Sequence, residues 1–336
     1  KLANSINTDI ATGPAALPKA GGTMTGNLTV NAIVDADNFK VNGGQGSDGQ
    51  LLTSTGSGVA WEDAPAGGPT FKTFGTSSFM VGDDATGTID AANYNTGVGV
   101  DVFEALTTGD DNVAVGFSAA KALTTGVRNV FVGEEAGSIG TTTSYSVGIG
   151  RESLKNATGN SNTGVGYVAL KGLTSGINNT AVGRSAMTGV VTGQYNSVLG
   201  YGAGGAITSG NYNVAIGGLS LDACTTAENN VAVGWTSLGS TTTGGGNTAV
   251  GGDSMAANTT GTLNVAVGTA TLDANTEGER NTALGIQALG ANTTGGYNTA
   301  VGERALDANT TAPNNTAVGS EALGANTTGE GNTASG

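Results

Sequence analysis

Glu152 follows Glu135 at the same interval at which Arg151 follows Glu134. A carboxylate pair held about 5 to 9 Å apart is the machinery of glycoside hydrolysis. If the chain returned to the same place at that interval, the two glutamates would stack, but Glu134 would then lie over Arg151. The second pairing reads as an ion-pair ladder on a solvated edge, which weighs against catalysis. Asp83-Asp84 and Asp110-Asp111 are carboxylate doublets, yet a calcium site needs six or more converging oxygens, so they read better as solvated loop ends. Tyr167, Tyr201 and Trp235 recur at twice the interval of the glutamates. Such spacing sets three rings along one edge, about 10 Å apart at two strand spacings, where they can stack on sugar rings; the plainer reading is that an exposed strand end tolerates aromatics. The chain has no histidine and a single cysteine, Cys224. Histidine-dependent nucleophilic catalysis, multi-cysteine zinc sites and intrachain disulfides are thereby excluded. No enzyme activity, metal or cofactor is expected.

What would position these residues is a repeat. The phrase Asn-(Thr/Val)-Ala-Val-Gly recurs from Asn95 to Asn332, preceded by a degenerate copy at Ser78. The sixteen copies keep the interval from Asn95 to Asn112 throughout, except that the step from Ser146 to Asn162 is shorter by one. One coil per repeat is expected, with neighbouring coils about 4.8 Å apart. The missing residue belongs in a turn, within 155–160, because a loss inside the strand would flip its faces.

Within a copy, position 1 is the anchor residue. Positions 2 and 4, such as Val231 and Val233, share one face of an extended segment and are expected to point into the coil; so are Val115, Val182, Val250 and Val301. Position 3 is Ala or Gly in 13 of the 16 copies. It is expected to face outward, its small size reflecting close approach by another chain or another wall of the coil. Position 5 is invariably glycine, and Gly99, Gly116, Gly133, Gly183, Gly217, Gly234, Gly251, Gly268, Gly285, Gly302 and Gly319 are expected to adopt backbone angles costly to other residues. Positions 8 and 9, as in Ala288-Leu289, form a second inward wall. Asn-Thr-Thr-Gly then makes a polar turn. Cys224 falls at position 12, where Leu106, Leu123 and Leu173 stand in other copies, and reads as a buried structural thiol. The anchor asparagines should stack into an amide ladder. Five tyrosines, Tyr94, Tyr145, Tyr195, Tyr212 and Tyr297, precede an anchor and suggest a corner or a subunit seam.

Composition agrees with a thin core. Glycine supplies 60 of 336 residues and charged residues only 11%, so stability must sum over stacked neighbours rather than over one broad interior. With a net charge of −14 and 12 scattered basic residues, nucleic-acid binding is not expected. No apolar run is long enough to span a membrane as a helix. The sequence opens without Met at Lys1 and stops within a repeat at Gly336, as a piece of a longer protein would.

Four segments follow: an N-terminal segment (1–35), a small β module with Gly and Ser turns (36–66), a linker (67–77) and the repeat region (78–336). The stretch Ala20 to Val30, with Gly21-Gly22-Thr23-Met24-Thr25-Gly26-Asn27-Leu28, resembles an element of the tail fibres of tailed bacteriophages. Gly46 to Trp61 resembles a linker module of viral fibres. The repeats, as in Asn213-Val214-Ala215-Ile216-Gly217, are similar to the head repeats of YadA-like trimeric adhesins, which have a shorter period; the added residues fall in the Asn-Thr-Thr turn.

The resemblance implies an all-β fold: a parallel β-solenoid (β-roll) of 17-residue coils, left-handed and homotrimeric, behind a short fibre-type β module. It implies the shaft of a phage tail fibre, extracellular on the virion, holding out a host-binding tip. Its partners would be itself, other tail or baseplate proteins on the N-terminal side, and a host receptor, a glycan, on the C-terminal side. Three alternatives are a bacterial trimeric surface adhesin, an ice-binding solenoid and a glycan-cleaving tailspike. Ice binding wants regular outward Thr rows, whereas Thr at position 2 alternates with Val, which argues for an inward row.

Overall fold

The computed structural model describes the strand backbones 50–54, 59–63 and 70–74, and residues 77–82 and 91–336 in full. The chain divides into two units, Lys1–Gly68 and Pro69–Gly336. In the first, β1 (Gln50–Ser54) and β2 (Val59–Asp63) pair antiparallel, with Gln50 opposite Asp63. The segment 1–35 lies outside the described residues.

In the second unit β3 (Thr70–Phe74) pairs antiparallel with β4 (Ser78–Gly82). The stretch expected as a linker therefore contains a strand laid against the first coil. From β4 onward each strand pairs parallel with the next, through β5 (Thr96–Val98) to β19 (Thr333–Ser335). Partners are one repeat apart, as in Ala232 opposite Ala249 and Ala249 opposite Ala266. This is a β-solenoid with one coil per repeat. Across the shortened repeat Val147 still pairs with Thr163, so the faces stay aligned. Thr158 and Gly159 both donate to Thr174 O, which puts the missing residue in the turn.

The expected side-chain register is inverted. Ala114, Ala181, Ala232, Ala249 and Ala300, all at position 3, are fully buried. Val115, Val182, Val233, Val250 and Val301 face outward and are half-buried. The cause is room. Position 3 points across the coil at position 9, where Leu238, Leu272, Leu289 and Leu306 are fully buried, and the space between these two positions has room for one large side chain. Where position 3 is Phe131, position 9 is Gly137, whose added Cβ would lie 2.5 Å from the Phe131 ring. Where position 9 is Phe103, position 3 is Gly97. Val198 likewise faces Gly204. In a close-packed interior such exchanges conserve volume.

Two backbone devices close each coil. Positions 7, 9 and 17 are left-handed, as in Gln287 (φ 56°), Leu289 (φ 53°) and Tyr297 (φ 60°), making corners in residues that normally avoid this region. Gly234 represents position 5: its φ is 140°, and an added Cβ would come within 3 Å of Gly251 O in the next coil. The other position-5 glycines from Gly99 to Gly319 have φ between 129° and 140° in the set singled out above.

The anchor residues form the amide ladder. Asn247 N–H donates to Asn230 Oδ1 at 3.0 Å, and Asn264 N–H to Asn247 Oδ1 at 3.0 Å. The buried Asn315 Nδ2 has no hydrogen-bond partner among the described residues, but from Asn95 to Asn298 each anchor asparagine's Nδ2 also reaches across its own coil, as from Asn247 to Gly261 O at 2.9 Å. One side chain thus ties strand, turn and neighbouring coil, with its polar atoms satisfied inside the protein.

Candidate interaction face

Because positions 1 and 3 point inward, positions 2 and 4 must point out, and the flanking positions 17 and 6 are exposed beside them. Among the described residues 22 large apolar or aromatic side chains are well exposed, and 20 of them occupy these four positions; Ile139 and Val190 are the exceptions. One face of the solenoid therefore carries nearly all the exposed apolar surface. Along its middle run Thr and Val at position 2 and Val, Ile and Leu at position 4, such as Ile149, Leu199 and Leu284. Contiguous apolar area of this kind marks interaction surfaces.

The position-6 edge holds Tyr167, Tyr201 and Trp235, all about half exposed, but not as a row of open rings. Arg184 lies between the two tyrosines, its guanidinium carbon 6.0 Å from the Tyr167 ring centre and 5.6 Å from that of Tyr201. Arg151 covers the other side of Tyr167 at 5.8 Å and bonds Glu134 at 3.2 Å. The result is one ladder, Glu134, Arg151, Tyr167, Arg184, Tyr201, held by cation–π and ionic contacts. Beyond it the Trp235 ring leans over Gly218, where an added Cβ would lie 2.6 Å from the ring. At the position-17 edge Tyr195 and Tyr212 stack, with centroids 5.2 Å apart. Arg128 lies over Tyr145 at 5.6 Å and Arg280 over Tyr297 at 5.3 Å.

Glu135 and Glu152 do stand in adjacent coils, but as anions bound by cations. Glu152 is 7% exposed and receives Lys171 at 2.5 Å, Arg151 at 3.4 Å and Lys155 at 3.6 Å; Lys155 also holds Glu135 at 2.7 Å. The hydrogen bond from Lys171, with the charges of Lys155 and Arg151, keeps the Glu152 carboxyl below its usual range against the opposing effect of burial. A group so held is a poor proton donor near neutrality.

Asp110 accepts from Asn93 N–H at 2.7 Å, and Asp111 pairs with Arg128 at 3.5 Å. Asp83 and Asp84 lie outside the described residues. No group of His, Cys, Asp and Glu suited to a metal ion occurs among the described residues. Cys224 is buried, with its thiol pushed up to about 11 by desolvation.

Sequence reasoning missed the outward face because it placed the valines inside. The signal that would have found it is the reciprocal size of positions 3 and 9, which only a shared interior explains. No helix among the described residues is long and apolar enough to cross a membrane. No family model matches the chain, and no curated protein or solved structure matches it significantly.

Proposed function

We propose that this chain is a non-enzymatic structural and adhesive protein: the shaft of a homotrimeric tail fibre of a tailed phage. It would stand on the virion outside the cell, joined to tail or baseplate proteins at one end and holding a receptor-binding tip, for a host-surface glycan, at the other. The observation that carries this reading is the one-sided apolar face on a solenoid of sixteen parallel strands. A bacterial surface adhesin would use the same face, and the fibre-like motif at Ala20 to Val30 favours the phage. The case for association rests on that outward face, since the small residues at position 3 are filled from within their own coil. The saturated Glu152 weighs against a tailspike hydrolase. Native mass spectrometry gives the first test: three copies of the 32.5 kDa chain are expected, and imaging of virions decorated with antibody to the solenoid should label tail fibres. A monomer would remove the fibre reading.

The outward register also favours one second reading. Thr282, Thr299 and Thr316 stand side by side in successive strands on an open face, which restores the regular Thr row an ice-binding solenoid needs. A monomer that shapes growing ice crystals would establish it.

A further inference from the structure

The apolar face ends in two unlike edges. Position 17 carries tyrosines with Asp111, Arg128 and Arg280; position 6 carries Glu134, Arg151, Arg184 and Glu303 among its aromatics. Fifteen coil steps of about 4.8 Å and six residue steps of about 3.3 Å give a face on the order of 1,400 Å². A stable protein–protein contact needs about 800 Å² per partner, so the face is large enough to be an interface. Its rows repeat at the coil spacing along the whole length. A partner can stay in contact over that length only if it has the same pitch, which a second copy of this chain supplies.

The geometry points to a specific mode of self-association: copies stand parallel and level, with the position-17 edge of one against the position-6 edge of the next. This rests on the homotrimeric reading and adds its register. A rotation axis along the solenoid keeps coils level and necessarily brings unlike edges together, whereas an antiparallel pair would bring like edges together. The residues at each level suit the first arrangement. Arg128 is level with Glu134, Tyr145 with Arg151, and Tyr297 with Glu303. At the level where position 17 is Tyr212, position 6 is Gly218, and where position 6 is Trp235, position 17 is Asn229. No level from Asp111 to Ser320 sets like charges against each other. Arg184, which has no carboxylate partner among the described residues, is level with the Asn178 amide.

The test is disulfide trapping in the full chain. Leu263 and Thr269 are both exposed at one level and lie at opposite edges of one strand, about 20 Å apart at roughly 3.3 Å per residue, too far for a bridge within one chain. The double variant L263C/T269C is expected to give covalent trimers on non-reducing gels, and either single variant none. A second pair, N314C/S320C, repeats the test elsewhere along the face, and circular dichroism checks that each variant keeps the parent's strand content. Cross-linking by single variants would mean that like edges meet and overturns the register. Native trimers without cross-linking in either folded double variant would also overturn it, leaving the fibre reading intact. A monomeric parent chain would overturn both.

Discussion

The early and late coils share one backbone plan but fill it differently. At position 12 the early coils bury Leu106, Leu123, Leu173 and Ile207, while the late coils bury Asn258, Asn275, Asn292 and Asn309. In the late coils the amides form a second ladder: Asn292 Nδ2 donates to Asn275 Oδ1 at 3.0 Å and to Gly295 O at 2.9 Å. Charges divide in the same place. Residues 95–195 hold seven carboxylates and six basic groups, whereas residues 213–336 hold ten carboxylates and two. Of the nine ion pairs among the described residues, all but Arg280–Glu279 lie in the early part. The same corner can thus be closed by dispersion and burial or by a satisfied amide column. The second works only when every neighbour takes part.

Exchanging the two solutions should break each in proportion to that dependence. Leu173→Asn removes a buried aliphatic side chain and inserts an amide between coils whose position 12 offers no acceptor. A loss of about 4 kcal/mol is expected from the lost packing and the unpaired polar group. The reverse change, Asn292→Leu, keeps the heavy-atom count but strands Asn275 Oδ1 and takes from Asn309 Nδ2 its acceptor at Asn292 Oδ1, for about 2 kcal/mol. Replacing the whole column from Asn258 to Asn326 by Leu should cost less than the sum of the single changes, because no half-paired amide remains. Thermal unfolding followed by circular dichroism gives the ranking. A strictly additive result would show that the column is not cooperative.

These contrasts also show what could be read from the residues. The period, the invariant glycine and the anchor asparagine gave one coil per repeat and the buried ladder, because each states a backbone requirement repeated sixteen times. Direction was harder. Val-Ala-Val alternation is the same whether Ala or Val faces inward, and hydrophobicity alone favours Val. The decision lay outside the strand, in Gly137 answering Phe131 and Phe103 answering Gly97. The Tyr–Arg ladder was legible too, since Arg184 holds position 6 in the coil between Tyr167 and Tyr201, but only in the whole position-6 row and not in its aromatic residues alone.

Acid should separate the two parts by sign. Glu152 has a lowered carboxyl pKa from its Lys171, Lys155 and Arg151 partners. Its contribution is therefore present above the ordinary value of 4.5 and is lost as pH falls below that through the folded value. Asp222 and Asp273 are raised by burial above 3.8. The folded state there binds protons more tightly, so stability rises as pH falls through their folded values. Hydrogen exchange resolved by mass spectrometry at about pH 3 and pH 6 should show faster opening around Glu152 in acid and equal or slower opening around Asp222 and Asp273. The same direction in both parts would mean that the local carboxylates do not govern the response.

The smallest expected effect lies at the junction. Thr241 occupies position 12 between Cys224 and Asn258, and Asn258 Nδ2 reaches its Oγ1 at 3.3 Å, a weaker rung than the 2.8 Å bond from Asn275 Nδ2 to Asn258 Oδ1. In Thr241→Asn the new Oδ1 would accept from Asn258. The new Nδ2 would reach Gly244 O, three residues on, as Asn258 reaches Gly261 O at 3.1 Å. The volumes are close, and the position is already fully buried and polar. A gain of about 0.5 kcal/mol is expected, less than a full hydrogen bond because the frontier amide then faces the weak acceptor of the Cys224 thiol. Carrying the column one coil further with Cys224→Asn should reverse the sign, since the next neighbour is the buried Ile207, which accepts nothing. Parallel melts of the two variants measure the difference. If Thr241→Asn destabilises as much as Cys224→Asn, the late column is limited by space at the corner rather than by the supply of acceptors.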